Sequence, residues 1–218
     1  MPISIMQLQM MILLLVLIAS GLIPAGDIAF SVFASIYFVL MNKLVFPSSS
    51  MKIHPKIFPG SKILGPYVAM GGIVGLLLPL GYILGSFVQG DRRALSSASP
   101  HLFFLACQVL TETVAAKTKG TSLPVRGLVP IFYNTRRLFS IASWLKSDFN
   151  KGVDSVGLDG MSTPLIGVSN WILFGRGLAV ANMVFWWFNL FCFLLPMYLP
   201  RVMKKHYELE RVAKEHQT

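Results

Sequence analysis

The sequence is short of charge and shorter still of acid: over 218 residues it holds 9 Asp and Glu against 19 Lys and Arg. Only 13% of its residues are charged and 54% are hydrophobic, too little polar surface to cover a soluble globule. Mean hydropathy is +0.64, so the membrane class is what remains. Cysteine is scarce too. Cys107 and Cys192 each fall inside an apolar run, where a thiol is a small core residue, and neither a disulfide nor a redox compartment follows. No Asn-x-Ser/Thr sequon occurs, since Asn134 is followed by Thr-Arg and Asn170 by Trp-Ile, which fits short lumenal loops. Paired carboxylates, HExxH, a nucleophile elbow and a phosphate loop are all missing, and GVSNW around Ser169 matches no hydrolase pattern. His54, beside Pro55, has no second ligand at metal-site spacing. No catalytic, metal-ligating or cofactor-binding residue is therefore expected, and the protein is read as a non-enzyme.

What the chain does have is long apolar runs. Ile3 to Ile23 is long enough to cross roughly 30 Å of hydrocarbon as a helix. It lacks the basic start of a signal peptide and the Arg/Ser-rich character of a transit peptide, so it is expected to be retained. The turn signal Pro24-Ala-Gly-Asp27 sends the chain back through Ile28 to Phe46. Pro47 to Lys62, with three prolines, three lysines and His54, is expected to be a cytoplasmic loop.

Ile63 to Val88 is a third run, and it carries glycine at small-xxx-small spacing. Gly71 with Gly75, and Gly81 with Gly85, are candidate helix-packing residues, because such spacing lets helix backbones approach closely. Pro79 between them is expected to kink or break the helix. Gln89 to Ser99 and Lys146 to Thr163 are expected to be polar loops, with a turn at Thr121 to Arg126. His101 to Lys119 and Gly127 to Leu145 form a fourth and a fifth segment, and Pro164 to Leu199 holds the last. Pro196 and Pro200 are expected to close that last span, leaving residues 1–200 as one helical membrane domain and 201–218 as a basic tail. In that tail Lys204 and Glu208, Glu210 and Lys214, and Arg211 and Glu215 stand at helical i, i+4 spacing.

The fold class is thus all-α: a polytopic α-helical membrane protein of about six transmembrane helices. Four or five spans with an interfacial amphipathic helix are the alternatives. The charge distribution favours six. With both termini in the cytoplasm, twelve cations lie on that side and four, Arg92, Arg93, Lys146 and Lys151, on the other. Against six stands the insertion of Arg136 and Arg137 near the middle of the fifth segment, which costs roughly 5 to 7 kcal/mol.

Those two arginines define the candidate site. Counted from the turn before the fifth segment, Glu112 and Arg136 reach similar depth, so an intramembrane ion pair is geometrically reasonable. Asn134, Arg137 and Arg176 complete the candidate polar cluster, with Thr111, Thr113, His101, Asn182 and Asn189 as further hydrogen-bonding groups. Intramembrane charges are functional-site hypotheses by default. The bland alternatives are a pair that only locks two helices together, or arginines lying at the headgroup level of an interfacial helix.

The blocks HLFFLACQVLTETVA, His101 to Ala115, and PVRGLVPIFYNTRRLFSIASWL, Pro124 to Leu145, resemble a family of small plant transmembrane proteins of unassigned function. The resemblance implies a plant source and a multi-spanning fold, and no activity, ligand or catalytic residue. The expected function is that of a structural or assembly partner of other membrane components, with a small transporter or channel component as the alternative. Expected partners are anionic lipid headgroups at the basic loops and tail and another membrane protein, not nucleic acid. The expected location is the endoplasmic reticulum or another endomembrane.

Overall fold

The computed structural model describes residues 4–47, 57–58, 60–118, 120–150 and 170–215. All regular structure there is helical, with no strand among the described residues. Most of the loop expected at Pro47 to Lys62, with Lys52, His54 and Lys56, and most of the one expected after Lys146 lie outside those residues.

Helix α1, Ile5–Ala19, begins at a capping box, in which Ser4 Oγ accepts from Gln7 N and Gln7 Oε1 accepts from Ser4 N. Helix α2, Ala25–Leu40, carries Asp27 in its first turn, where the helix dipole favours a carboxylate. It runs on through a π-helical turn, Met41–Val45.

Helices α3, Leu64–Gly72, and α4, Leu78–Val88, are joined by a π-helical turn at Ile73–Leu77, in which Leu78 N–H reaches back five residues to Ile73 O. Pro79 accounts for it. A proline has no N–H to donate to the carbonyl four residues earlier, and its ring pushes that carbonyl aside. The freed carbonyl is that of Gly75, which bonds His101 Nε2 at 2.8 Å. Pro79 therefore shifts the register without ending the rod.

Asp91 caps α5, Arg92–Lys117, by accepting from Ala94 N at 2.9 Å. That cap overturns the loop expected over Gln89 to Ser99. Helix α6, Leu123–Asn150, likewise extends past both ends of the expected fifth segment and takes in Lys146 and Asp148. Helix α7, Asn170–Phe188, continues through a π-helical segment, Asn189–Tyr198, into α8, Leu199–Glu215. The rod is 46 residues long, so Pro196 and Pro200 do not close it and the helix runs on past residue 200. The wider register takes up Pro196, with Leu199 N–H bonded to Leu194 O.

Helices α5 and α6 pair as a central hairpin. Its turn at Gly120, whose φ of +91° suits only glycine, is clamped by Asn42, which donates to Gly120 O and accepts from Ser122 N. Lys117 bonds Gln7 at 2.6 Å and Val202 packs against Gly127. The start of α1, the ends of α2 and α5, and the α7–α8 junction thus gather at one end of the hairpin. The opposite end joins α4, α6 and α7 through the stacked rings of Tyr82, Trp144 and Trp171.

Among the described residues three rods are long and apolar enough to cross a membrane: Ala25–Val45, Leu64–Val88 and Asn170–Glu215. The expected count of six does not hold by that measure. With 15 residues, α1 covers about 22 Å at 1.5 Å per residue, and α5 and α6 carry too much polarity. Yet α5 is buried at every residue from Ala98 to Cys107. The large apolar residues left exposed lie overwhelmingly on α1 to α4 and α7, with only Val114, Phe139 and Phe149 from the hairpin.

The glycines of α3–α4 accommodate aromatic side chains of α7 rather than a second backbone. A Cβ at Gly75 would meet the Trp186 ring at 2.5 Å and one at Gly85 the Trp171 ring at 2.4 Å, while Gly71 lies against Phe185 and Gly81 has nothing within 4 Å. Gly85→Ala is therefore expected to destabilise the fold by about 1–3 kcal/mol through overpacking. Gly81→Ala should be neutral or slightly stabilising, as measured by thermal unfolding of the purified proteins in detergent.

Candidate functional site

Helix α6 places Arg136 and Arg137 on different faces, and the two guanidinium groups separate. Arg137 points into the bundle and is fully buried. Its Nη2 bonds Gln108 Oε1 on α5, and its guanidinium carbon lies 4.0 Å from the centre of the Trp186 ring on α7, a cation–π contact in a desolvated setting. Gln108 Nε2 in turn donates to Glu112 Oε1 at 2.8 Å. The amide thus relays between cation and carboxylate, which do not touch.

Trp186 ties the cluster to the other helices. Its backbone carbonyl accepts from Asn134 Nδ2 at 3.1 Å, and its indole N–H donates to Asn182 Oδ1 at 3.2 Å. Its ring occupies the notch at Gly75, whose carbonyl accepts from His101. Helices α3–α4, α5, α6 and α7 therefore meet around one side chain. Four atoms of this cluster are buried without a partner among the described residues: Arg137 Nε and Nη1, Asn134 Oδ1 and His101 Nδ1.

Arg136 does not pair with Glu112, as depth along the sequence had suggested. It bonds Asp27 Oδ1 at 2.5 Å, with Phe30 and Phe104 each 5.8 Å from the guanidinium carbon. Depth was the wrong criterion, because consecutive residues on a helix point about 100° apart. The pair fixes the α1–α2 turn beside the middle of α6, about 20 Å from the start of that helix at 1.5 Å per residue.

Arg176 belongs to neither group. It caps the end of α6 by donating to Asp148 O at 3.0 Å and Phe149 O at 3.3 Å, carbonyls that a helix C-terminus leaves unpaired. Asp148, expected in a loop, is buried there and accepts from Trp144 Nε1 and Tyr82 OH. Thr113 bonds within its own helix, Thr111 reaches Tyr133 and Asn189 accepts from Tyr67. The sequence reading missed Gln108, Trp186, Asp27 and Asp148. Gln108, Asp148 and Trp186 each had a local signal, the i, i+4 spacing to Glu112, Trp144 and Asn182, whereas the partner of Asp27 lies 109 residues away.

A family comparison matches residues 3–207 to a domain of unknown function, DUF7733. The match covers almost the whole chain, which therefore belongs to that family. No curated protein and no solved structure is similar to it.

Gln108→Leu removes the acceptor of Arg137 and the donor to Glu112 together. It should destabilise the protein by about 1–3 kcal/mol or more, the cost of stranding buried polar groups. Glu112→Gln keeps an acceptor oxygen for Gln108 and should cost less. Denaturant unfolding of the two variants in the same detergent gives the ranking.

Proposed function

We propose that this member of the DUF7733 family is a multi-spanning membrane protein that serves as a structural or assembly partner of other membrane components, without enzymatic activity. One observation carries the reading. Each charged group of the candidate cluster ends on a partner within the bundle: Arg137 on Gln108 and Trp186, Glu112 on Gln108, Arg136 on Asp27, and Arg176 on the last carbonyls of α6. Arg137, Arg136 and Arg176 so engaged join helices, while the Glu112 bond stays within α5.

In this reading the α5–α6 hairpin crosses the bilayer inside a sheath of apolar helices. The sheath explains how arginines are tolerated at membrane depth, since charges in spans face the bundle interior. Both termini lie on the cytoplasmic side. The link between Lys117 and Gln7 and the packing of Val202 on Gly127 support placing them at one end, as does the excess of lysine and arginine there. The resemblance to small plant membrane proteins supports a plant source, and an endomembrane is the proposed location.

A second reading, a small transporter or channel component, draws on the unpartnered Nε and Nη1 of Arg137 beside the unpartnered Nδ1 of His101 and Oδ1 of Asn134. These atoms would line a polar path for an anion or proton.

Flux and association separate the two readings. Purified protein in liposomes should pass chloride and protons no faster than empty vesicles, and in mild detergent it should run in a complex larger than itself. Glu112→Gln should leave both results unchanged. A measurable flux that Glu112→Gln abolishes at normal expression and association would favour transport.

A further inference from the structure

We propose that the cleft between α2, α5 and α6 holds one acyl chain of an anionic membrane lipid, with the lipid phosphate at Lys43. The cleft measures about 450 Å³, inside the range of roughly 300–1,000 Å³ typical of built small-molecule sites. Phe38, Val39, Leu110, Val114, Val125 and Val129 form most of its wall.

The polar groups of the wall are distributed unevenly. At the end away from the α5–α6 turn Ser35 donates to Ser31 O and Thr111 to Cys107 O, so both hydroxyl protons are already engaged. At the other end, beside the α5–α6 turn, stand Asn42, Lys43, Thr118 and Thr121. Asn42 is committed to the turn and Thr118 to Val114 O. Lys43 is exposed and has no carboxylate partner among the described residues. An apolar slot closed by a free cation matches an amphiphile with a hydrocarbon tail and a negative head.

Access also fits a bilayer lipid. Val39 and Val114, on facing helices, are 54% and 55% exposed, so the slot opens sideways between them. A chain can enter from the surrounding hydrocarbon without passing through water. A zwitterionic lipid also offers a phosphate, but its quaternary ammonium leaves no net negative charge to answer the cation.

The inference rests on the membrane reading, and one experiment keeps their failures apart. Full-length protein in nanodiscs is irradiated with a phosphatidic acid bearing a mid-chain diazirine, or with the matching phosphatidylcholine, and adducts are mapped by mass spectrometry. The expected result is adducts concentrated on the facing walls of α2, α5 and α6. The anionic probe should be favoured about five-fold, the factor one interfacial lysine contributes. Lys43→Gln should erase that preference while keeping the chain adduct. Val39→Trp, at the exposed rim, should remove most of the adduct, whereas Val32→Trp, exposed elsewhere on α2, should not.

Equal labelling by both probes, or adducts spread over α3–α4 and α7 and indifferent to Val39→Trp, would overturn the site while leaving the membrane reading intact. Release of the protein from native membranes by alkaline carbonate would overturn both.

Discussion

The fold depends on keeping the Arg137 guanidinium out of water. An isolated buried cation costs several kcal/mol, and the cost is offset only where hydrogen bonds and polarisable faces surround the charge. Here the amide of Gln108 and the ring of Trp186 supply them, from α5 and α7 respectively. Trp186 can serve only because Gly75 leaves room for its ring and Asn134 holds its carbonyl. Pro79 contributes indirectly, since the carbonyl it frees at Gly75 receives His101. The charge thus fixes four helical rods relative to one another.

The same constraint explains why the hydropathy of α5 and α6 is low while their burial is high. Polar groups needed around a buried cation must come from the helices nearest to it, which lowers the hydropathy of those helices. The exposed apolar residues are supplied instead by α1 to α4 and α7. Arg136 reinforces the arrangement from the other face of α6: its bond to Asp27 ties the α1–α2 hairpin to the middle of the central one.

How much of this could be read in the sequence follows from the range of each interaction. The rods at Ala25–Val45 and Leu64–Val88 were legible, because length and apolarity are local properties. The start of α5 was legible in principle, as Asp91 three residues before Ala94 is an ordinary capping signal, but the polar stretch after it looked like a loop. Pro196 and Pro200 were misleading: a π-helical register takes up Pro196, Pro200 sits in the first turn of α8, and α5 and α6 likewise run on through Pro100 and Pro130. The glycine notches were visible as spacing, although nothing local says that indole rings fill them. The partner of Arg136 was out of reach, since Asp27 lies 109 residues away and no spacing rule connects them.

The helix lock requires a closed interior around Arg137, and native Cys107, buried one residue before Gln108, reports on it directly. In a Cys192→Ala protein, opened membranes would be treated with a membrane-impermeant maleimide before and after denaturation. A sealed helix lock predicts no labelling of Cys107 until the protein unfolds. Labelling of the folded protein as fast as an exposed control cysteine would mean that water reaches the cluster, and would contradict the lock.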